Sequence, residues 1–436
     1  IISLTVALVA VLIPLLFMGD IVGRLFREFA VTLAVTILVS AVVSLTLTPM
    51  MCSRLLRQVP KGEESWFARR STEAFDWVIA RYGTTLKWVL RHQTATLVTF
   101  VATLAATVVL YVIVPKGFFP LQDTGVILGV SEAPESVSFA AMAERQQQLA
   151  AVVLQDPAVE SLSSFIGIDG VNTTANAGRI QINLKPLAER DADAHEVIRR
   201  LQPKLAEVQG ATLYMQPVQD LTVEDRVSRT QFQYSLASPD PEALETFTPQ
   251  FIERLRAIPE ITDLASDQQT GGLELTLAID RDTASRLGIT PQMIDDTLYD
   301  AFGQRQVSTI FTQLNQYRVV LEVDPSFQNG PEALEHIYVR ASSGAAVPLA
   351  SFTTITPGTT ALAVTHQGQF PAVTLSFNLA PGVSLGEAVD AINLAADELG
   401  LPPSIRAGFQ GTAQAFQASL ANQPFLILAA LVTVYI

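Results

Sequence analysis

Four uninterrupted apolar runs divide the chain into membrane-like and soluble stretches. They lie at 1–18, 29–53, 94–114 and 424–436. A helix needs about 20 apolar residues to cross a bilayer, so the two internal runs are each long enough for one crossing. We expect the two terminal runs to be transmembrane helices, 1–18 and 422–436, that the sequence contains only in part. We also expect the chain to be the middle of a larger membrane protein. Buried core helices are the alternative.

Hydroxyl side chains recur at every fourth position of the second run, at Thr32, Thr36, Ser40, Ser44 and Thr48. Steps of four residues drift by about 40° around a helix, so these hydroxyls share one broad face. Small hydroxyl residues let helices approach closely and can hydrogen-bond across the contact. The stripe therefore predicts a helix-packing face, with a path for protons or water as the alternative.

Between 120 and 224 the pattern changes to strand, helix, strand, strand, helix, strand. Its helical stretches are SFAAMAERQQQLAAVVLQ and ADAHEVIRRLQPKLAEV. This order is typical of the ferredoxin-like, split βαβ arrangement. The Gly-rich loop 167–178 joins the second strand to the third and contains enough glycine to move, although a plain surface hairpin is the alternative.

The same order begins again at 225 and stops at 272, after a strand, a helix and a second strand. Its remaining half follows at 362–412 as a strand, a helix and a last strand. Residues 273–361 interrupt the repeat with their own strands and helices. One of these helices has Thr290 as its N-cap and Pro291 at its first position. The sequence thus predicts membrane helices plus an α+β region of two ferredoxin-like subdomains, the second interrupted by an α/β domain.

Charge separates the membrane-like stretch from the rest. Residues 1–114 carry ten Lys and Arg against six Asp and Glu, whereas residues 115–436 carry 18 against 36. An acidic surface repels phosphates, which argues against nucleic acid as a partner. Segment 54–93 holds eight basic residues, so the positive-inside rule places it in the cytoplasm and the acidic part outside. The single cysteine, Cys52, lies at the cytoplasmic end of its helix, and the external part therefore has no disulfide.

All three tryptophans, Trp66, Trp77 and Trp88, are eleven residues apart. Eleven residues are about three helical turns, so the rings share one face, accompanied by basic residues. Segment 62–92 is therefore predicted to be a cytoplasmic amphipathic helix on the inner leaflet, with its aromatic side in the interface. Packing against another cytoplasmic domain is the alternative.

Sequence motifs for catalysis and metal binding are lacking. The chain has no GxxxxGK[ST], GxGxxG, HExxH or CxxC, and its four histidines and six methionines are scattered. The pair Asp280 and Asp282 precedes a helix, which indicates capping rather than acid–base chemistry. Neither 29–53 nor 94–114 contains the acidic or basic residue that a proton-coupled transporter needs. No cofactor and no metal are expected.

Several stretches resemble the resistance-nodulation-division (RND) family of multidrug efflux pumps. GRLFREFAVTLAVTILVSAVVSLTLTPMMCSRLL resembles the sixth transmembrane helix of these pumps, and GFFPLQDTG, IDRDTASRLGI and GTAQAFQASL are similar to family motifs in the same order. The resemblance covers nearly the whole chain. LQDPAVESLSSFIGIDG, QDLTVEDRVSRTQFQYSL and AFGQRQVSTIFTQLNQYRVVLEVD look closest to the MdtB-type subunit, which assembles with an MdtC-type sister.

The resemblance implies a proton/drug antiporter in the bacterial inner membrane that exports amphipathic small molecules, such as drugs and bile-salt-like compounds. It implies a homotrimer or a heterotrimer with an RND sister subunit, coupled through a periplasmic adaptor protein to an outer-membrane channel. Residues 120–224 would be one porter subdomain, 225–272 with 362–412 the other, and 273–361 the docking domain. The proton-relay residues of the family belong to helices outside this sequence.

The resemblance also implies a substrate path in the cleft between the porter subdomains. Loop 167–178 is at the position of the family's pocket-dividing switch loop, where multidrug members often carry aromatic residues. The strand Leu213–Val218 would line the same cleft. The candidate substrate-path residues are Gly167, Ile168, Gly170, Asn172, Gly178, Tyr214, Gln216 and Val218.

Two other classes of protein stay open. One is an RND relative that exports lipid or assists protein translocation, which a two-subdomain porter with a docking insertion disfavours. The other is a membrane-anchored extracytoplasmic enzyme or binding module, and an enzyme would need a convergent catalytic cluster that the sequence does not show.

Overall fold

A computed structural model describes residues 2–16, 19–55, 66–168, 174–223, 228–328 and 330–435. The chain divides into two compact units. The first unit comprises Ile1–Thr124, Gln216–Ala265 and Gln367–Ile436, and the second comprises Gly125–Met215 and Ser266–His366.

The α-helices of the described residues are α1 (Ile2–Leu16), α2 (Asp20–Leu55), α3 (Trp66–Arg91), α4 (Gln93–Ile113), α5 (Phe139–Leu154), α6 (Ala194–Leu205), α7 (Pro241–Arg256), α8 (Arg281–Arg286), α9 (Pro291–Phe302), α10 (Leu385–Leu399) and α11 (Gly411–Tyr435). The strands are β1 (Val126–Glu132), β2 (Val159–Ile166), β3 (Ala177–Leu184), β4 (Thr212–Pro217), β5 (Phe232–Ala237), β6 (Ile261–Ser266), β7 (Gly272–Ile279), β8 (Arg305–Phe311), β9 (Gln316–Leu321), β10 (Tyr338–Arg340), β11 (Ala346–Pro348), β12 (Thr353–Thr360), β13 (His366–Gln367), β14 (Phe370–Leu379) and β15 (Arg406–Gln410).

Two helices of the first unit are long and apolar enough to cross a membrane, among the described residues. They are Gly23–Leu55 within α2 and Gln93–Ile113, which is α4. Two segments of α11, Gly411–Ala421 and Gln423–Thr433, make a third candidate if they form one span bent by 42°. Pro424 lies just after this bend. It accounts for the bend because proline lacks the N–H that would bond back to the preceding turn.

The hydroxyl stripe of α2 is mostly exposed. The covered face of this helix consists of Ala30, Ala34, Ile37, Ala41 and Ser44, spaced alternately by four and three residues. Helix α2 contacts α1 and α11. Of the stripe only Ser44 belongs to this face, and the hydroxyl of Thr36 instead donates to the carbonyl of Thr32 in its own helix, at 2.8 Å. The small alanines, rather than the hydroxyls, therefore form the helix-packing surface of α2 in the described chain.

Helix α3 has two different faces, and both are exposed. The three tryptophans lie on one side, with the ring of Trp88 stacked on His92 at 4.8 Å between centroids. At about 100° per residue, Phe75, Tyr82 and Leu86 lie on the opposite side. The sequence pattern had suggested that the tryptophan face is the apolar side of this helix. The larger apolar stripe lies on the opposite side, and the tryptophans share their side with basic residues.

The first sheet has the strand order β2-β3-β1-β4. Strand β3 lies between β1 and β2 and is antiparallel to both. Helices α5 and α6 begin at the N-caps Ser138 and Asp193, whose side chains accept hydrogen bonds from backbone amides. Their apolar faces and the sheet bury one aliphatic core, which includes Ile127, Leu149 and Ile182.

The second sheet lies in the first unit and has the order β13-β14-β5-β15, with β6 also paired to β14. Helix α7 follows β5, and α10 follows β14 after a capping box formed by Ser384 and Glu387. The core is rich in aromatic residues and includes Phe251 and Phe377 together with Ala413 and Phe416 of α11. Helix α11 starts directly after β15, so the sheet and this helix share one core.

The inserted segment between β6 and β14 forms its own small core in the second unit, around Ile294, Val339 and Leu349. Strands β7 and β12 pair along their whole length and form the stem through which the chain enters and leaves the insertion. Thr290 caps α9 with its hydroxyl and Pro291 is the first helical residue, as the sequence predicted. The carboxylate of Asp280 accepts from the amides of Asp282 and Thr283 and caps α8, which confirms the capping interpretation.

Candidate functional site

The two ends of loop 167–178 are differently held. Gly167 follows β2 with a φ of +91°, a backbone conformation that glycine adopts most readily, and the side chain of Ile168 is 74% exposed. At the other end Thr174 and Asn176 are buried. Gly170 and Asn172 lie outside the described residues. The chain is thus exposed where it leaves the sheet, at Ile168, and buried where it returns to the sheet, at Thr174 and Asn176.

Gly178 is part of β3 and sits over a buried polar cluster. A Cβ atom there would lie 2.7 Å from the hydroxyl of Ser131 and 2.9 Å from Cγ2 of Ile166. The Ser131 hydroxyl donates to Oε1 of Gln146 at 2.5 Å, and Nε2 of Gln146 donates to the Ser164 hydroxyl at 2.9 Å. Only glycine fits this position, which therefore fixes the base of the loop rather than letting it move.

Residues Tyr214, Gln216 and Val218 lie on or just after β4. Side chains alternate along this strand, with Leu213 and Met215 buried in the core while Tyr214 and Gln216 are half-buried on the other face. Nε2 of Gln216 donates to the carbonyl of Ser228 at 3.1 Å. Because β1 and β3 lie between β4 and β2, the structure holds the strand residues and Gly167 at opposite edges of the sheet.

A buried ion pair stabilises the same sandwich without joining the candidate site. The carboxylate of Asp156, at the end of α5, receives two hydrogen bonds from Arg200 of α6 at 2.5 and 2.6 Å. Burial raises the pKa of Asp156, but the hydrogen bonds from Arg200 and from the amide of Ala158 outweigh it, and its pKa lies below the usual 3.8. Asp156 is therefore a structural anion.

An apolar cavity of about 800 Å³ lies in the first unit, where α4 ends. It is bounded by α1, α2, α4 and α11, and by the segment that follows α4. Its lining includes Phe26, Leu110, Tyr111, Lys116, Phe416 and Gln423.

Polar groups are concentrated at one wall of this cavity. The ammonium of Lys116 lies 4.9 Å from the ring centroid of Tyr111, within cation–π range. The Tyr111 hydroxyl donates to Oε1 of Gln423 at 3.0 Å. A large apolar space with one cation and a few polar groups suits a molecule with an apolar body and a polar or anionic head. Sequence reasoning missed this cavity, although a lysine and three aromatic residues around the end of an apolar helix were a readable signal.

Clusters suited to metal binding are not found: within the described ranges no three His, Cys, Asp or Glu side chains lie close enough to hold an ion. The arrangement offers recognition and packing surfaces.

The sequence profile of the AcrB/AcrD/AcrF family matches residues 1–436. Two solved structures, crystal forms I and II of a heavy metal efflux pump, are similar to the chain, with TM-scores of 0.78 and 0.80 and 21% identity in each case. They match 99% and 98% of this chain, which spans 44% of the length of each pump. At this identity the likeness shows the shared fold.

Proposed function

The chain belongs to the AcrB/AcrD/AcrF family of RND efflux transporters, and we propose that it is the central part of an inner-membrane subunit that exports amphipathic small molecules by proton antiport. The observation that carries the proposal is the family match along the whole chain. The long apolar helices α2 and α4, which are candidate membrane spans, and the two sheets with their packed helices agree with such a transporter.

The cavity at the end of α4 supports amphipathic molecules, such as drugs and bile-salt-like compounds, as the substrate class. Its apolar lining offers area to a ring system or an acyl chain, and Lys116 offers one positive charge to an anionic head. Apolar contact without fixed orientation allows a pump to accept varied molecules. Export of metal ions, which the names of the two similar structures suggest, is the second candidate.

We infer the following organisation for the external region. The first sheet with α5 and α6 is one ferredoxin-like porter subdomain, the second sheet with α7 and α10 is the other, and the inserted segment is the docking domain. Loop 167–178 and strand β4 line the substrate path. Resemblance to the MdtB-type subunit favours a trimer with an RND sister subunit, a periplasmic adaptor and an outer-membrane channel as partners.

Membrane orientation follows from charge. The basic segment that contains α3 lies in the cytoplasm, and the acidic sheets lie in the periplasm. An impermeant maleimide applied to intact cells should then leave Cys52 unlabelled, and permeabilised cells should label it.

The substrate class is tested with the full-length transporter in a strain that lacks other pumps. Lys116→Gln should reduce export of anionic amphiphiles such as bile salts by up to about fivefold, because an exposed ion pair contributes at most about 1 kcal/mol, and should spare neutral substrates. Lys87→Gln on α3 is the matched control and should change neither. Protection against metal ions alone, with no effect of either variant on organic substrates, would establish the second candidate.

The substrate path is tested in the same strain. Gly170→Pro should slow efflux of large amphipathic substrates with expression and assembly kept, because it stiffens the loop. Tyr214→Ala should weaken export selectively, through loss of aromatic contact area. Unchanged resistance to every substrate at equal expression would reduce the loop to a hairpin connection and leave the family unaffected.

A further inference from the structure

A short turn after β1 holds two distant segments of the second unit at once. The turn is residues 132–135, EAPE, which we name the bracket. On one side the bracket contacts the buried end of loop 167–178. The amide of Ala133 donates to the carbonyl of Asn176 at 3.0 Å, and Nδ2 of Asn176 donates back to the carbonyl of Ala133 at 2.9 Å.

On its other side the bracket contacts the segment that leads into the stem of the inserted domain. Nε2 of the buried Gln269 donates to Oε1 of Glu132 at 2.6 Å, and the amide of Gly271 donates to the carboxylate of Glu135. The returning strand of the stem is fastened to the same place, because the amide of Leu362 donates to the carbonyl of Gln269 at 3.1 Å. The bracket therefore contacts the segment that enters the stem directly, and the segment that leaves the stem through Gln269.

The contacts leave little freedom between these segments. Glu132 is the last residue of β1 and pairs with Ala177 of β3, so the bracket cannot shift without moving the base of the loop. Gly272 begins β7, and a Cβ atom there would lie 2.9 Å from the Thr360 carbonyl, so the two stem strands are closely packed. Hydrogen bonds to carboxylates are stronger than neutral ones, which favours a stiff connection.

We propose that the bracket couples the buried base of loop 167–178 to the stem of the inserted domain, with Glu132, Glu135 and Gln269 as positioning residues. A displacement at either end is then transmitted to the other through the bracket. The proposal deepens the proposed function, on which it rests only for the role of the loop as part of the substrate path. In the transporter it would link occupancy of that path to the position of the inserted domain.

Hydrogen exchange in the full-length protein tests the coupling in both directions, because coupling between two sites must be reciprocal. Gln269→Ala, made beside the stem, should speed exchange of the amides of Gly271 and Leu362, which flank the stem, and also of Ala133 in the bracket and Ala177 at the base of the loop. Asn176→Ala, made at the loop, should do the same from its side. Loss of one hydrogen bond corresponds to roughly two- to tenfold faster exchange near the change, and we expect about twofold at the far side.

Controls separate coupling from general loosening. The amide of Ile182 in the core of the first sheet reports global opening, and Glu160→Ala on the exposed face of β2 removes a carboxylate away from the bracket. Glu135→Gln, a milder change, should speed exchange at both ends less than Gln269→Ala does. Faster exchange only on the mutated side, or an equal increase at Ile182, would overturn the proposal. If the full-length protein exported nothing, the proposed function would be refuted, whereas the coupling measured by hydrogen exchange would still hold.

Discussion

The two sheets have equivalent strand orders but differ in what closes their cores. Strands β2, β3, β1 and β4 of the first correspond to β6, β14, β5 and β15 of the second. The first core is aliphatic and is completed by its own two helices. The second core is aromatic and is completed by Ala413 and Phe416 of α11, a candidate membrane helix.

A contact of another kind lies beyond α4 in the same unit. The amide of Gln122 donates to Oε1 of Gln219 at 2.8 Å, and Nε2 of Gln219 donates to the Gln122 carbonyl at 3.1 Å. Two hydrogen bonds can yield, whereas a shared hydrophobic core is close-packed and transmits displacement. Movement of α11 is therefore expected to carry the second sheet directly.

The largest effect should come from breaking the shared core. Phe416→Ala removes a buried ring and should destabilise the full-length protein by about 3 to 5 kcal/mol, seen as a lower melting temperature in detergent. Phe425→Ala, on the exposed side of the same helix, is the control and should change it little. Equal effects of the two variants would mean that α11 does not belong to the core of the second sheet.

Removing the buried ion pair should destabilise the first sandwich alone. Asp156→Asn leaves the partly exposed Arg200 with its longer contact to Asp191, at 3.4 Å, and should cost about 2 kcal/mol. The pKa of Asp156 is lowered in the fold, so its contribution is full at neutral pH and is lost as the pH falls below about 4 and through that lowered value. The wild type should thus lose stability on acidification more steeply than the variant. Parallel pH curves would contradict the assignment.

Gly178→Ala and Gly408→Ala compare two strand glycines, one in each sheet. The first places a Cβ against Ser131 and Ile166 and should cost about 1 to 2 kcal/mol through overpacking. The second meets nothing within 4 Å and should be close to neutral. Thermal unfolding of the full-length protein measures both, and a neutral Gly178→Ala would show that the base of the loop yields more than its packing suggests.

The smallest effect should come from the contact between Gln122 and Gln219. Gln219→Ala removes both hydrogen bonds to Gln122 and should lower stability by about 1 kcal/mol or less, because this contact is partly exposed. It should speed amide exchange at Gln122 while leaving β5 and β14 unchanged. Faster exchange in the second sheet would show that this contact and the shared core are not independent.

Local patterns predicted the parts of the fold that local physics controls. Apolar runs mark α2 and α4 because a bilayer requires length and low charge from a single segment. Thr290, Pro291 and Asp280 mark helix starts because capping uses a residue's own neighbours in the chain. The strand and helix order of both sandwiches followed from the same kind of short-range signal.

Contacts between distant residues were decided only by the tertiary structure. The hydroxyl stripe of α2 looked like its packing face, yet the alanines are covered, since the neighbours α1 and α11 select the face. The sequence assigned Tyr214 and Gly167 to one cleft, and only the strand order shows that they lie at opposite edges of the sheet. The insertion of Phe416 into the second core, and the contact of Glu135 with Gly271, join residues far apart in sequence, and such pairings depend on the packing of whole elements rather than on any pattern within one of them.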